Sequence, residues 1–150
     1  QTDLAKESEM EKVCSRNFIK IFAMFENRLN AAFQGNTEFL RGGSVNDIRR
    51  SGCYEYEKRL VSKDKVTLEF DILFDKLRDD YLYYSYNIFF GKDNKLMFHY
   101  EPTHKEHFQP HANVYVAEKE LKNDKGEGIH IITHKYHPFE ILAMIERYFA

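Results

Sequence analysis

Apolar side chains recur at three- and four-residue steps through the first part of the chain and predict a long amphipathic helix over residues 3–33. The members of this stripe are Cys14, Phe18, Ile21, Phe22, Phe25, Leu29 and Phe33. The next stretch, residues 35–46, is rich in Gly, Asn and Ser and predicts a loop. It is the only internal boundary that the pattern offers.

From about residue 51 the pattern changes to the alternation that is typical of strands. Val66, Leu68, Phe70 and Ile72 share one face of a half-exposed strand, for example. The turn sequence at 91–94 (GKDN) predicts a hairpin between its two neighbours, and residues 118–128 predict a polar loop or a widened hairpin turn. The strand segments are 53–61, 65–74, 81–90, 95–101, 112–117 and 129–134.

A second helix is predicted at the end of the chain, where Pro138 suits a first helical position. Its apolar stripe consists of Phe139, Leu142, Ile145 and Phe149. The sum is an α+β fold, with an antiparallel sheet of five or six strands, a long N-terminal helix and a C-terminal helix. We interpret residues 1–150 as a single domain, in which 1–34 form a helical N-terminal element and 51–150 form the sheet and the last helix.

Composition and charge narrow the class of protein. Hydrophobic residues make up 43% and charged residues 31%, which indicates a globular chain and not a disordered one. The formal net charge is −2, so the overall charge does not favour a non-specific nucleic-acid binder.

The two cysteines, Cys14 and Cys53, form no CxxC motif and predict reduced thiols in a cytoplasmic protein. No apolar run approaches the ~18 residues that a membrane span needs, so we expect no membrane association. The polar, acidic first residues are not typical of a secretory signal.

Four of the seven histidines lie between residues 99 and 111. If the strands around 95–101 and 112–117 are antiparallel neighbours, one face presents His99, Glu101, His111, Asn113 and Tyr115. The connection between them adds Thr103, His104, Lys105, Glu106 and His107. We therefore expect a polar surface rich in imidazole, carboxylate and phenol groups.

One hypothesis for this surface is acid–base chemistry, because imidazole titrates near neutral pH. Cleavage of RNA through its own 2′-hydroxyl needs a base, an acid and a cation for the phosphate, and it requires no metal or other cofactor. His111 is then the base or the acid, and His107 or His104 is its counterpart. Lys105 and Tyr115 orient or neutralise the phosphate.

Two other interpretations stay open for the same stretch. A metal site is one, although the spacing of His104, His107 and His111 fits no strong zinc signature. A polar connection whose histidines bond backbone carbonyls is the other. In the second histidine group, we expect His137 to cap the last helix and His130 to face water.

The order of features between residues 65 and 149 resembles the TumE-like toxin family of prokaryotic toxin–antitoxin pairs. An aromatic strand (YYSYNIFF) is followed by a turn with Asp93, the histidine stretch and a terminal helix. The positions that match the family pattern are Tyr100 and Glu101, His104 or His107, and Pro110-His111. Two positions depart from it: Asn113 stands where the family has a second histidine, and Glu101 where it has Asp.

The resemblance implies a small cytoplasmic toxin or phage-defence protein, with RNA as its substrate and an antitoxin or defence component as its protein partner. It leaves self-association open. The alternative function is a non-enzymatic protein-binding module of such a complex. The aromatic stripe of the helix at 3–33 and the acidic charge balance favour that alternative.

Overall fold

The computed structural model describes residues 12–42, 45–62 and 66–150 and has an α+β fold. Nine strands and two helices occur in these residues. They are α1 (Phe18–Ala32), β1 (Thr37–Gly42), β2 (Asn46–Ile48), β3 (Cys53–Ser62), β4 (Thr67–Asp75), β5 (Asp80–Phe90), β6 (Asn94–Tyr100), β7 (His111–Val116), β8 (Lys119–Glu120), β9 (Ile131–Ile132) and α2 (Pro138–Tyr148).

All strand pairs belong to one antiparallel sheet with the order β1-β3-β4-β5-β6-β7-β8. Two short strands lie off this path, because β2 also pairs with β3 and β9 also pairs with β7. The order from β3 to β7 follows the chain, as expected for strands joined by short connections. The predicted hairpin between β5 and β6 is confirmed.

Within the described residues, α1 begins at Phe18, so the prediction of one continuous helix over 3–33 is wrong at 12–17; its part at 3–11 lies outside the described residues. The side chain of Asn17 accepts a hydrogen bond from the Cys14 backbone N–H at 3.0 Å and donates one to the Lys12 carbonyl at 2.9 Å. These bonds hold residues 12–17 in turns, because Asn side chains compete with the backbone for hydrogen bonds. Cys14 therefore precedes the helix.

The prediction of a loop over residues 35–46 was wrong, because this stretch supplies β1 and the beginning of β2. The stretch at 118–128, for which a polar loop or a widened hairpin turn was predicted, contains β8, which pairs antiparallel with β7. The composition of both stretches is poor in β-formers, and these strands form by adding to a sheet edge already present in β3 or β7. This is why the sheet has more strands than the five or six predicted.

Both helices pack on the same face of the sheet. Phe25 of α1 is fully buried, with ring centroids 5.0 Å from Phe70 on β4 and 5.9 Å from Phe139 on α2. Along β4 the buried side chains are the alternate ones at 68, 70, 72 and 74, as the sequence pattern predicts. The opposite face of the sheet is therefore the one on which polar side chains of the central strands collect.

One charged group is buried beneath α1. Lys58 on β3 lies 3.1 Å from a carboxylate oxygen of Glu26, which also accepts a hydrogen bond from the Tyr56 hydroxyl at 2.9 Å. Burial and the Glu26 charge together raise the pKa of Tyr56 far above its usual value. The pair joins α1 to the sheet by a charged contact as well as by apolar packing.

Neither helix in the described part of the chain combines the length and the apolar character that a membrane crossing requires.

Candidate functional site

The pairing of β6 with β7 places the predicted polar residues on the face opposite the helices. His99 is the register partner of His111, Met97 that of Asn113, and Lys95 that of Tyr115. The expectation that residues 99, 111, 113 and 115 share a face is therefore confirmed. Glu101 follows β6 directly, and its carboxylate lies 3.4 Å from Nε2 of His99.

Five imidazoles form one continuous group here, which we call the histidine cluster. Its members are His99, His104, His107, His111 and His130. Ring centroids are 5.4 Å apart for the pair 99–111, 4.9 Å for 111–130 and 3.9 Å for 107–130. The rings of His107 and His130 are nearly parallel, with an angle of 8° between their planes. The ring of His104 also stacks on that of His107, with the centroids 5.4 Å apart.

Backbone carbonyls fix the proton positions of two of these rings. Nδ1 of His111 lies 2.8 Å from the Gln109 carbonyl, and Nδ1 of His130 lies 3.0 Å from the Gly128 carbonyl. A carbonyl oxygen can only accept, so in both rings Nδ1 carries the proton. When each ring is neutral, its Nε2 is therefore the nitrogen with a free lone pair, and it lies on the side away from that carbonyl.

Burial and neighbouring imidazoles lower the pKa of two rings in the cluster, His99 and His111. Desolvation is the largest cause that lowers the pKa of His111 below 6.5, and the neighbouring His130, His107 and His104 lower it further. The hydrogen bond to Gln109 opposes this shift. The pKa of His99 is also lowered, first by burial and then by His111, against the opposing Glu101 charge. At neutral pH both rings are therefore proton acceptors.

The connection between β6 and β7 forms a small pocket over His111. The pocket has a volume of about 50 Å³, and its lining residues are Glu106, His107, Phe108, Gln109, His111, His130 and Ile132. His111 itself is only 4% exposed, whereas Phe108 at the rim is 54% exposed. A ligand larger than a few atoms would reach Nε2 of His111 only if the His107 side of the pocket moved outward.

Two residues of the predicted polar face, Asn113 and Tyr115, are already engaged or lie elsewhere. Asn113 is buried and its amide donates to Glu120 at 3.2 Å, so it ties β7 to β8. Tyr115 lies four residues beyond His111, about 13 Å along the strand. It lines a different pocket, where Lys95 lies over its ring at 4.5 Å. Lys105 is exposed in the connection that also carries His104 and His107.

His130 is the member of the site that the sequence did not identify. The expectation that it faces water was wrong, because its ring packs on His107 and His111. The residues before it fold back along β8, with an isolated bridge between Lys122 and Gly128. The alternation of His130 with its isoleucine neighbours placed it on one side of a strand, but only the pairing of β9 with β7 shows what lies on that side.

The remaining histidines belong to the start of α2. Nε2 of His134 lies 2.6 Å from a Glu140 carboxylate oxygen. His137 is the N-cap residue, as predicted, and its backbone N–H donates to the other Glu140 oxygen at 3.3 Å. This group stabilises the helix start and is separate from the histidine cluster.

In the described ranges, no three His, Cys, Asp or Glu side chains are arranged as they stand to share a metal ion. Comparisons of the chain with protein-family models, with curated proteins and with solved structures found no match. The resemblance to the TumE-like toxins therefore stays a prediction. What the protein does has to be inferred from the geometry of the histidine cluster.

Proposed function

We propose that the protein cleaves RNA by metal-independent acid–base catalysis at the histidine cluster. One observation carries the proposal: the rings of His111 and His130 lie 4.9 Å apart, and each has its Nδ1 fixed on a backbone carbonyl. Two neighbouring imidazoles with defined tautomers can provide a base and an acid for the same reaction.

In the proposed reaction, the His107 side of the pocket moves outward to admit the RNA, and Nε2 of His111 accepts the proton of a ribose 2′-hydroxyl. The 2′-oxygen attacks the adjacent phosphorus while the bond from phosphorus to the 5′-oxygen breaks. A protonated imidazole of His130 or His107 donates its proton to that leaving oxygen. The products are a 2′,3′-cyclic phosphate and a free 5′-hydroxyl, and no metal takes part.

The environments of the rings support this division of roles. His111 is the most buried of the three rings, and the lowered pKa keeps it unprotonated as a base should be. His107 and His130 are half-buried and closer to water, from which an acid can be reprotonated. Lys105 of the same connection is our candidate cation for the phosphate, as in the sequence hypothesis.

The biological setting that we propose is a cytoplasmic prokaryotic toxin or defence protein, similar to the TumE-like toxins, with an antitoxin as its partner. The non-enzymatic alternative was based on the aromatic stripe and on the acidic charge balance. The stripe is buried, with Phe18, Phe22 and Phe25 at most 2% exposed, so it does not offer a docking surface, and the charge balance remains as support for the alternative.

The chemistry predicts which substrates are resistant. We expect purified protein in EDTA to cut an end-labelled single-stranded RNA and to leave 2′,3′-cyclic phosphate ends, detected by mass spectrometry. The same strand with 2′-deoxyribose at the cleaved positions should remain intact, because it lacks the attacking oxygen. Cleavage of the deoxy-substituted strand, or cleavage only after Mg²⁺ is added, would contradict the proposal.

A further inference from the structure

Two rings of the histidine cluster, His111 and His130, are held in the way that metal-binding histidines usually are. Histidines that bind metals usually donate their other ring N–H to a carboxylate, a carbonyl or water, which orients the ring and raises its basicity. His111 and His130 both have this arrangement, with Nδ1 on the carbonyls of Gln109 and Gly128. In both rings the Nδ1 atom carries the proton, so the lone pair of Nε2 is the one that can bind a metal.

The distances between the rings fit a shared ion. Two imidazoles on one tetrahedral Zn²⁺, with bonds of about 2.0–2.1 Å, have ring centroids about 5 Å apart. The pair 111–130 is already at 4.9 Å, and the pair 107–111 is at 6.0 Å. Only His107 is out of position, because it lies flat on His130 at 3.9 Å.

We propose that His107, His111 and His130 bind one borderline transition-metal ion of the Zn²⁺ type, after the His107 ring turns out of its stack on His130. His107 belongs to the exposed connection between β6 and β7, so this rotation does not disturb the sheet. A water molecule fills the fourth position of the metal. Glu106 lines the same pocket, and its carboxylate offsets part of the added charge.

The ligand chemistry selects among metals. Neutral imidazole suits Zn²⁺, Cu²⁺ and Ni²⁺, whereas Mg²⁺ and Ca²⁺ prefer sites made of oxygen ligands. The metal and the proposed RNA reaction compete for Nε2 of His111. Zn²⁺ is therefore an inhibitor of cleavage, a consequence that depends on the proposed function, whereas metal binding itself does not.

The first test is titration calorimetry of the metal-free protein with ZnCl₂ at about pH 7.5, because metal binding competes with protons for the ligand nitrogens. We expect one Zn²⁺ per chain, at least about tenfold weaker binding in His130→Ala, and no heat with MgCl₂. His134→Ala is the matched control, since it removes an exposed imidazole outside the cluster, and it should bind like the wild type. Equal affinity in His130→Ala and the wild type would overturn the proposal.

The second test needs no variant and so does not depend on whether one folds. In the wild type labelled with ¹⁵N-histidine, ZnCl₂ should shift the Nε2 resonances of His107, His111 and His130 and leave those of His134 and His137 in place. Shifts confined to His134 and His137, or no shifts, would overturn the metal site. Cleavage in EDTA is measured separately, so the failure of one proposal leaves the other intact.

Discussion

Replacing His111 by alanine is expected to lower the rate of RNA cleavage in EDTA by about 10²- to 10⁴-fold, the range that a positioned general acid or base contributes. The reason is that His111 is the ring with the lowered pKa and with Nε2 available to take the 2′-hydroxyl proton. The measurement is the initial rate of cleavage of an end-labelled RNA at saturating substrate. EDTA removes any contribution from a bound metal.

The matched control for this prediction is His134→Ala, which also removes one imidazole. His134 is bonded to Glu140 at the start of α2 and lies outside the histidine cluster, so cleavage should be unchanged. His111 is buried, and circular dichroism at the assay temperature shows whether the His111→Ala variant is folded. The half-exposed His130 provides a second, milder replacement, for which we expect a loss in the same direction. Wild-type rates in folded variants at both positions would remove the cluster from the mechanism.

The largest expected effect on stability comes from Phe25→Ala. Phe25 is fully buried between the sheet and both helices, with its ring against Phe22, Tyr56, Phe70 and Phe139. Deletion of such a ring removes its burial and leaves a cavity that the neighbours fill only in part. We expect the free energy of unfolding to fall by about 3–5 kcal/mol, measured by urea denaturation.

Ile19→Ala is the control in the same helix. Ile19 is 58% exposed and therefore lies off the buried face of α1. Its effect should stay within about 0.5 kcal/mol, as for most surface substitutions. Similar losses in both variants would mean that α1 is not packed on the sheet as described. The position of α1 matters for the alternative function as well, because a stripe that is buried against the sheet offers no docking surface.

Local patterns predicted those elements that have strong periodicity. The alternation along 65–74 predicted β4, because one face of that strand is buried under the helices and the other is not. Pro138 predicted the start of α2, because proline suits the first helical position. These signals are local, so one sequence is enough to read them.

The elements that were missed depend on distant partners. β1 and β2 have compositions typical of loops, and they are strands only because the edge of β3 offers them backbone hydrogen bonds. The beginning of α1 was placed too early because the apolar stripe includes Cys14. The side chain of Asn17, which bonds the backbone of that cysteine, ends the helical pattern there.

The site shows the same division. The amino-acid sequence by itself determined that His99, His111, Asn113 and Tyr115 share a face, because side chains alternate along a strand and the connection between β6 and β7 is short. Only the tertiary structure decided that Tyr115 lies away from the histidines and that the Asn113 amide is hydrogen-bonded to Glu120. It also decided that His130 belongs to the cluster. The physical reason is that the alternation of a strand specifies which face a side chain takes. The contacts on that face depend on which strands and loops pack beside it, and here the fold-back of residues 121–130 along β7 and β8 supplies them.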